Sequence, residues 1–196
     1  ALLHELPENA TIGTGSLRRQ AQLREAFGHR FGIAEIRGNV DTRIKKLDSG
    51  EYHGIILAAA GLMRLGLQDK ITEFLDPKIF IPSTCQGVLA IESLKKRAAD
   101  FEEIKAHLYH EETAITVSCE REFLKTLKGG CKVPIAGYAQ LQSGKLFFEA
   151  AVYPNIAGKT IYQKLSGFPD QAKEIGARLA ENLLRRGADK IIREYS

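Results

Sequence analysis

The sequence is poor in cysteine, has no long apolar run, and carries no strong excess of one charge. Its three cysteines, Cys85, Cys119 and Cys131, are far apart in the chain and form no CxxC pair. That pattern argues against a disulfide framework or a zinc site and favours a reducing compartment. No apolar stretch approaches the roughly 18 residues of a membrane span, and no signal-peptide pattern is present. We therefore expect a cytoplasmic protein with no membrane contact.

The net charge of +4 comes from 28 basic and 24 acidic residues, which is too weak a bias to indicate a nucleic-acid partner. A hydrophobic fraction of 44% in 196 residues is enough to build a core. The basic excess is local, since residues 18–46 contain eight basic and three acidic residues. The interpretation as a nucleic-acid binder would depend on that cluster alone, because the sequence shows neither aromatic platforms nor a basic stripe. We therefore expect no nucleic-acid partner.

Three apolar runs in the first third of the chain are each followed by a segment with helix-start chemistry. The runs begin at Ile12, at Phe31 and at Gly54, and the third is expected to be a buried strand over residues 54–60. Ser16 and Asn39 are good helix N-caps, and a further helix is expected over residues 68–75. Strands that alternate with helices predict a parallel sheet, whose ligands bind beyond the carboxyl ends of the strands.

Five arginines follow these strand ends: Arg18, Arg19, Arg37, Arg43 and Arg64. Arg18 and Arg19 fall in the first turn of a helix, where a cation faces the positive end of the helix dipole. Two arginines in that place are better explained if an anion binds there, although a solvated basic helix face is the alternative. Helix N-termini also favour anions. The pattern predicts a site for a ligand with several negative charges.

The middle of the chain changes character around Pro82 and Gly87, which break it into a connection followed by a predicted strand. A charged helix is expected over residues 95–107. His107 and His110 stand beside Glu111, but without further ligands they are better read as exposed histidines near a helix end, and no metal site is expected.

The last third predicts a small α+β domain. A helix is expected over residues 110–127, a hairpin over residues 133–153 with its turn at Ser143 and Gly144, a third strand over residues 160–165, and a long helix from Pro169 to Leu184. The fold class is therefore α/β, with a parallel or mixed sheet in a periplasmic-binding-protein-like domain and a small C-terminal α+β domain.

Cys131 differs from the other two cysteines because it follows two glycines, so we expect its thiol to be exposed. Lys132 beside it favours the thiolate, which is the nucleophilic form. Residues alone leave two interpretations open, a covalent attachment point and an ordinary loop cysteine.

Six motifs occur in a fixed order along the chain. They are GTGSLRRQ at 13–20, RGNVDTR at 37–43, AAGLMRL at 59–65, Gln86-Gly87 with Ile91-Glu92, EREFL at 120–124 and GGCKVPI at 129–135. Together they closely resemble the porphobilinogen deaminase family, also called hydroxymethylbilane synthases. The resemblance covers about residues 10–140, and the C-terminal part fits by position and pattern only.

The resemblance implies a transferase that joins four porphobilinogen molecules into hydroxymethylbilane, with release of ammonia, in tetrapyrrole, porphyrin and heme synthesis. It implies that Cys131 carries a dipyrromethane cofactor through a thioether. Cofactor binding would fall to Arg18, Arg19, Arg37, Thr14 and Ser16, and substrate binding to Arg43, Arg64, Gly38 and Asn39. This agrees with the charge pattern, because each pyrrole ring brings two carboxylates and guanidinium groups bind carboxylates through two parallel hydrogen bonds.

The resemblance also implies that the family's first portion is missing, together with the Lys-Asp motif that supplies the catalytic aspartate. None of the seven aspartates of the chain stands in that motif. We therefore expect a fragment that binds without turnover, lacks the dipyrromethane adduct and is a monomer. Residues 1–81 would be the family's second domain, 82–108 a return segment of the mostly missing first domain, and 109–196 the C-terminal domain with the cofactor cysteine.

The alternative is a non-catalytic α/β module that binds an anion or solute. Periplasmic-type binding proteins also place helix N-termini around such ligands. The Gly-Gly-Cys loop discriminates between the two, because a solute-binding protein needs no tethering thiol.

Overall fold

The computed structural model of the chain describes residues 1–128, 130, 133–154 and 158–195. Its first sheet is parallel and has the strand order β2-β1-β3, with β1 at Thr11–Gly13, β2 at Gly32–Ala34 and β3 at Gly54–Ile55. Ile12 of β1 is in register with Ile33 of β2 and with Gly54 of β3. The predicted parallel sheet is confirmed.

Helices α1 (Leu17–Phe27) and α2 (Val40–Asp48) begin where the sequence predicts them. The side chain of Ser16 accepts a hydrogen bond from the backbone N–H of Arg19, and that of Asn39 accepts one from Thr42. These caps satisfy backbone donors that have no partner within the first turn. Gly28, with φ of +60°, ends α1 in a conformation that favours glycine. Both cap predictions are therefore confirmed.

Two predictions for the segment that begins at Gly54 are wrong. The strand expected over residues 54–60 is wrong beyond Ile55, because Ile56 makes the last ladder bond to Gly13 and helix α3 (Ala59–Arg64) starts soon after. The alanines at 58–60 are good helix formers, and β3 pairs only with β1 in the described sheet. The helix expected over residues 68–75 is a single 3-10 turn at Gln68–Lys70.

The strand expected after Gly87 is also wrong. Residues 88–94 are neither helix nor strand, and no described strand lies alongside them. Without a partner strand their backbone groups cannot form a ladder, and their apolar side chains are exposed, Leu89 by 74% and Ile91 by 62%. The helical prediction for residues 95–107 is confirmed in two pieces, a 3-10 segment at Lys95–Phe101 and helix α4 at Glu102–Leu108.

The last third forms an antiparallel sheet of β4 (Ile135–Gln142), β5 (Lys145–Val152) and β6 (Ile161–Gly167). Ser143 and Gly144, with φ of +49° and +74°, make the predicted two-residue hairpin turn. Helices α5 (Glu111–Leu127) and α6 (Ala172–Arg185) share a core with this sheet, and α7 (Ala188–Arg193) adds a turn that the sequence did not predict. His110 caps α5 by accepting from the N–H of Thr113.

Helices α5 and α6 pack unusually closely at Gly176. A Cβ atom at that position would overlap the carbonyl oxygen of Cys119 on the facing helix. Among the described helices, none is both long enough and apolar enough to cross a membrane.

Candidate functional site

The turn that follows β1 is built from hydroxyl side chains. Thr14 is 1% exposed; its N–H donates to the carbonyl of Ala34 over 2.9 Å, and its Oγ1 accepts from the N–H of Ser16 over 3.3 Å. Gln20 donates to the carbonyl of Thr14 over 3.1 Å. The hydroxyl oxygens of Thr14 and Ser16 thus fix the backbone of this turn.

Arg18 is buried, with 7% of its surface exposed. Its Nη1 donates to the carbonyl of Ile81 over 2.6 Å and to Oε1 of Gln22 over 3.0 Å, and its Nη2 donates to Oε1 of Gln86 over 3.3 Å. All three acceptors are neutral. Burial, and to a smaller extent the neighbouring charge of Arg19, lower the pKa of this guanidinium to about 10.

Arg19 lies beside it and also has only a neutral acceptor, the carbonyl of Ile56, at 2.7 Å from its Nη1. Burial lowers the pKa of Arg19, and so does the positive charge of Arg43. Arg43 uses its Nε to reach the carbonyl of Gly38 over 2.8 Å. In the described part of the chain, neither of its terminal nitrogens has a hydrogen-bond partner.

These three guanidinium groups form a positive cluster at the carboxyl edge of the parallel sheet. Among the described residues, no carboxylate lies within ion-pair distance of any of them. Positive charges that lie close together and are partly buried are stabilised when an anion binds between them. The arrangement therefore suits a polyanionic ligand.

The other two predicted arginines are placed differently. Arg37 is exposed and donates from Nε to Oε1 of Glu35 over 2.8 Å, a contact that raises its pKa. Arg64, in the last turn of α3, donates from Nη2 to the carbonyl of Gly87 over 2.6 Å. Arg64 is thus tied to the same stretch of chain that holds Arg18, whereas Arg37 stands apart with an acidic partner.

Gly38 and Asn39 shape the start of α2. Gly38 has φ of +116°, and a Cβ there would lie 2.8 Å from Cγ2 of Thr42. Oδ1 of Asn39 accepts from both the N–H and the hydroxyl of Thr42, over 2.9 and 2.8 Å. The carbonyl of Gly38 is also the acceptor for Arg43, so this turn sets the position of that guanidinium.

A cavity of about 340 Å³ lies beside β3 and takes in Arg18, Arg19 and Gln86. Most of its other walls are apolar, among them Phe74 and Phe80. Arg37, Arg43 and Arg64 do not line it. The structure thus brings two of the five arginines into one cavity, places Arg43 close enough to affect Arg19, and leaves Arg37 outside.

The sequence did not reveal what holds Arg18. Gln22, four residues along α1, is 2% exposed and donates to the carbonyl of Ile81 over 2.9 Å and to the hydroxyl of Tyr153 over 3.0 Å. The spacing of Arg18 and Gln22 on one helix face was a usable signal. A backbone carbonyl acceptor, such as that of Ile81, leaves no signal in the sequence.

Cys131, the predicted attachment point, lies outside the described residues. The two described cysteines are poor nucleophiles. Burial raises the pKa of Cys85 to about 11 and that of Cys119 to about 12, with Glu120 adding to both shifts. Since the thiolate is the reactive form, neither is primed for covalent chemistry at neutral pH.

Comparison with known proteins gives one consistent result. Residues 1–103 match the family model "Porphobilinogen deaminase, dipyromethane cofactor binding domain", and residues 114–185 match "Porphobilinogen deaminase, C-terminal domain". A porphobilinogen deaminase of Synechococcus sp. (strain RCC307) is 45% identical over 190 residues, which are 97% of this chain and 59% of that protein. One of Nitrosomonas europaea is 41% identical over 190 residues, again 97% of this chain and 61% of the relative. The chain spans about three fifths of the length of these curated relatives.

Proposed function

The chain belongs to the porphobilinogen deaminase family, and from that premise we propose that it is part of a transferase that joins four porphobilinogen molecules into hydroxymethylbilane. The reaction releases ammonia and serves tetrapyrrole synthesis. The observation that supports this proposal is the positive cluster of Arg18, Arg19 and Arg43, which has no carboxylate partner among the described residues. Each pyrrole ring of the substrate and product carries two carboxylates, and guanidinium groups are the side chains best suited to bind them.

The same donors fit a dipyrromethane cofactor, because its two rings would bring four carboxylates to guanidinium groups that have no carboxylate partner among the described residues. Arg18, Arg19, Thr14 and Ser16 would hold it, with Cys131 as the thioether tether. When bound, this group supplies the primer to which further pyrrole units are joined. Arg37 is included because of its motif; its Nε binds Oε1 of Glu35, and its two terminal nitrogens would bind the cofactor carboxylate.

Substrate binding is proposed for Arg43, Arg64, Gly38 and Asn39. The carbonyl of Gly38 fixes Nε of Arg43, so the two terminal nitrogens can meet a carboxylate side by side. Asn39 caps α2 and so orients the first turn on which Arg43 lies. Arg64 would contribute one nitrogen to the ligand while Nη2 stays on Gly87.

The domain division is part of the proposal. Residues 1–81 would form the arginine-rich α/β domain and 109–196 the C-terminal domain, with 82–108 packing on a portion found in the longer relatives. The exposed apolar side chains of Leu89 and Ile91 support this role for the middle segment. That the 196 residues bind without turnover, and that the protein is a cytoplasmic monomer, remain predictions.

The ligand class is tested by titrating the chain with porphobilinogen in a calorimeter. Arg18→Met should weaken binding by about 10- to 100-fold, since a hydrogen bond to a charged group contributes about 1.5–3 kcal/mol. Arg24→Met removes an exposed guanidinium from the same helix and is the matched control, with affinity unchanged. Equal binding by Arg18→Met, or no binding by the unaltered chain, would contradict the proposal.

The tether is tested by intact-mass measurement on a longer protein that contains these residues. An adduct of two pyrrole units should be present and should disappear in Cys131→Ser. An active protein without that adduct would rule out the covalent cofactor. Reversible binding without any adduct or turnover would instead favour the anion- or solute-binding module.

A further inference from the structure

Residues 81–87, here called the connector, supply the hydrogen-bond acceptors of two site arginines. The carbonyl of Ile81 and Oε1 of Gln86 accept from Arg18, and the carbonyl of Gly87 accepts from Arg64. The directions of both guanidinium groups therefore depend on where the connector lies.

The connector has no helix or strand to fix it. Two short turns shape it, through bonds from the N–H of Gln86 to the carbonyl of Ser83 and from that of Val88 to Cys85. Cys85 has φ of +58°, a left-handed conformation that a residue other than glycine seldom adopts. Such a conformation persists only where surrounding contacts hold it.

Those contacts come from the C-terminal sheet and its helix. Glu120 of α5 is 6% exposed; its Oε2 accepts from the N–H of Cys85, and its Oε1 accepts from that of Ala139 in β4 over 2.8 Å. Nearby, the N–H of Gly137 donates to the carbonyl of Pro82 over 3.0 Å. One buried carboxylate thus joins the connector to β4.

The geometry requires a carboxylate rather than another polar group. Two backbone N–H donors converge on separate oxygens, and only an acceptor with two oxygens satisfies both. A glutamine would direct its own NH₂ group toward one of the two donors. Among the described residues Glu120 has no cationic partner. Burying its charge therefore costs desolvation free energy that no ion pair offsets. A role in holding the connector explains why a charge lies there.

We propose that Glu120 is a positioning residue for the anion-binding site. By holding the N–H of Cys85 it fixes the connector, so that Ile81, Gln86 and Gly87 direct Arg18 and Arg64 toward the ligand carboxylates. The identity of that ligand rests on the proposed function, whereas the placement of the connector does not.

The test compares Glu120→Gln with Glu122→Gln, which removes the same charge from the same helix at a residue whose partner is the exposed Lys125. Hydrogen exchange of the full chain, without ligand, should rise at least tenfold in residues 83–88 of Glu120→Gln and stay within twofold in β5 and α6. Affinity for porphobilinogen should fall about five- to tenfold. Glu122→Gln should change neither quantity.

A double-mutant cycle separates positioning from a general structural effect. If Glu120 acts through Arg18, adding Glu120→Gln to Arg18→Met should weaken binding much less than it does alone. Full additivity would overturn the proposal, and so would faster exchange with unchanged affinity, or no change in exchange at all.

Two further measurements cover the cases in which the unaltered chain does not bind the ligand or the variant does not fold. If the unaltered chain does not bind porphobilinogen, the proposed function is wrong. The positioning role is then tested separately by ¹⁵N NMR of the Arg18 guanidinium, and a signal that Glu120→Gln does not change would contradict it. If Glu120→Gln does not fold, Gly137→Ala displaces the connector instead, because its Cβ would lie 2.6 Å from Cγ2 of Thr84 and 3.3 Å from Cε2 of Phe148. Thr84→Ser removes the closer of these contacts and should restore exchange in residues 83–88 and affinity together; recovery of one without the other would contradict the proposal.

Discussion

The two sheets of this chain are stabilised in different ways. The antiparallel sheet has strands of eight, eight and seven residues and, among the residues that the structure describes, shares sixteen buried side chains with α5, α6 and α7. The parallel sheet has strands of three, three and two residues, and its cluster in the described chain contains four: Ala10, Ile12, Leu23 and Phe31. Apolar burial is the main favourable term in folding, so the antiparallel half is the better stabilised.

The difference shows where the candidate site obtains its rigidity. The parallel half carries the partly buried arginines, which contribute little to a core. An apolar cluster of Ile81, Ala136, Ala151 and Tyr153, against which Ala21 packs, joins it to the other half. Polar contacts from Gln22 to Tyr153 and from Glu120 to Cys85 add to that link. We infer that the charged edge is held in place by the apolar half behind it.

The largest expected effect is on the free energy of unfolding, and it should differ between the two cores. Phe148 is 1% exposed and meets Phe123 edge to face, with ring centroids 5.2 Å apart. Phe148→Ala should lower the free energy of unfolding by about 3–5 kcal/mol, through lost burial and a cavity. Leu23→Ala in the smaller cluster should cost less, measured by urea unfolding followed by circular dichroism. A larger loss for Leu23→Ala would reverse the comparison between the halves.

Two glycines sharpen the same comparison. Gly176→Ala would press a methyl group into the α5 backbone at Cys119, so it should destabilise the chain by about 1–3 kcal/mol. Gly61→Ala, in α3, meets nothing closer than Cγ2 of Val40 at 4.0 Å and should stabilise by about 0.5–1 kcal/mol. Thermal unfolding of both variants checks this. If Gly176→Ala stabilises the chain as Gly61→Ala does, the close approach of α5 and α6 is not rigid.

The halves also differ in how far the sequence predicts them. Local signals sufficed for the caps at Ser16 and Asn39 and for the hairpin at Ser143 and Gly144, because each depends on neighbours in the chain. The end of β3 was missed, since periodicity alone does not separate a short apolar run in a buried strand from one in a helix. The strand expected after Gly87 failed because strand formation needs a partner that the sequence does not name.

The candidate site divides in the same way. The arginines could be placed at the carboxyl edge of the sheet from the alternation of strands and helices. Their acceptors could not, because Ile81 and Gly87 accept through backbone carbonyls that carry no sequence signature. Glu120 stood in a recognised motif, yet its contact with Cys85 joins residues 35 positions apart. Only the folded chain brings them together.

A smaller effect on stability is expected where the charge is buried. Arg18→Met should change the free energy of unfolding by less than about 1 kcal/mol, because it removes a desolvated cation whose partners are all neutral. The carbonyl of Ile81 keeps its bond from Gln22. Urea unfolding beside Arg24→Met measures the difference. A loss above about 3 kcal/mol, of the size seen when a buried ion pair is broken, would mean that Arg18 mainly links structure.

The smallest expected effect concerns the pH dependence of stability at Glu120. Burial raises the pKa of this carboxyl above its ordinary value of 4.5, and the hydrogen bonds from Ala139 and Cys85 offset only part of that rise. The folded chain then binds a proton more tightly than the unfolded chain, so the stability that Glu120 contributes falls as pH rises from about 4.5 through the raised pKa. The unfolding free energy of the unaltered chain, relative to Glu120→Gln, should therefore decrease between pH 4.5 and 7. An increase over that range would mean that the two backbone donors outweigh burial, and that Glu120 stabilises the ionised fold as well as positioning the connector.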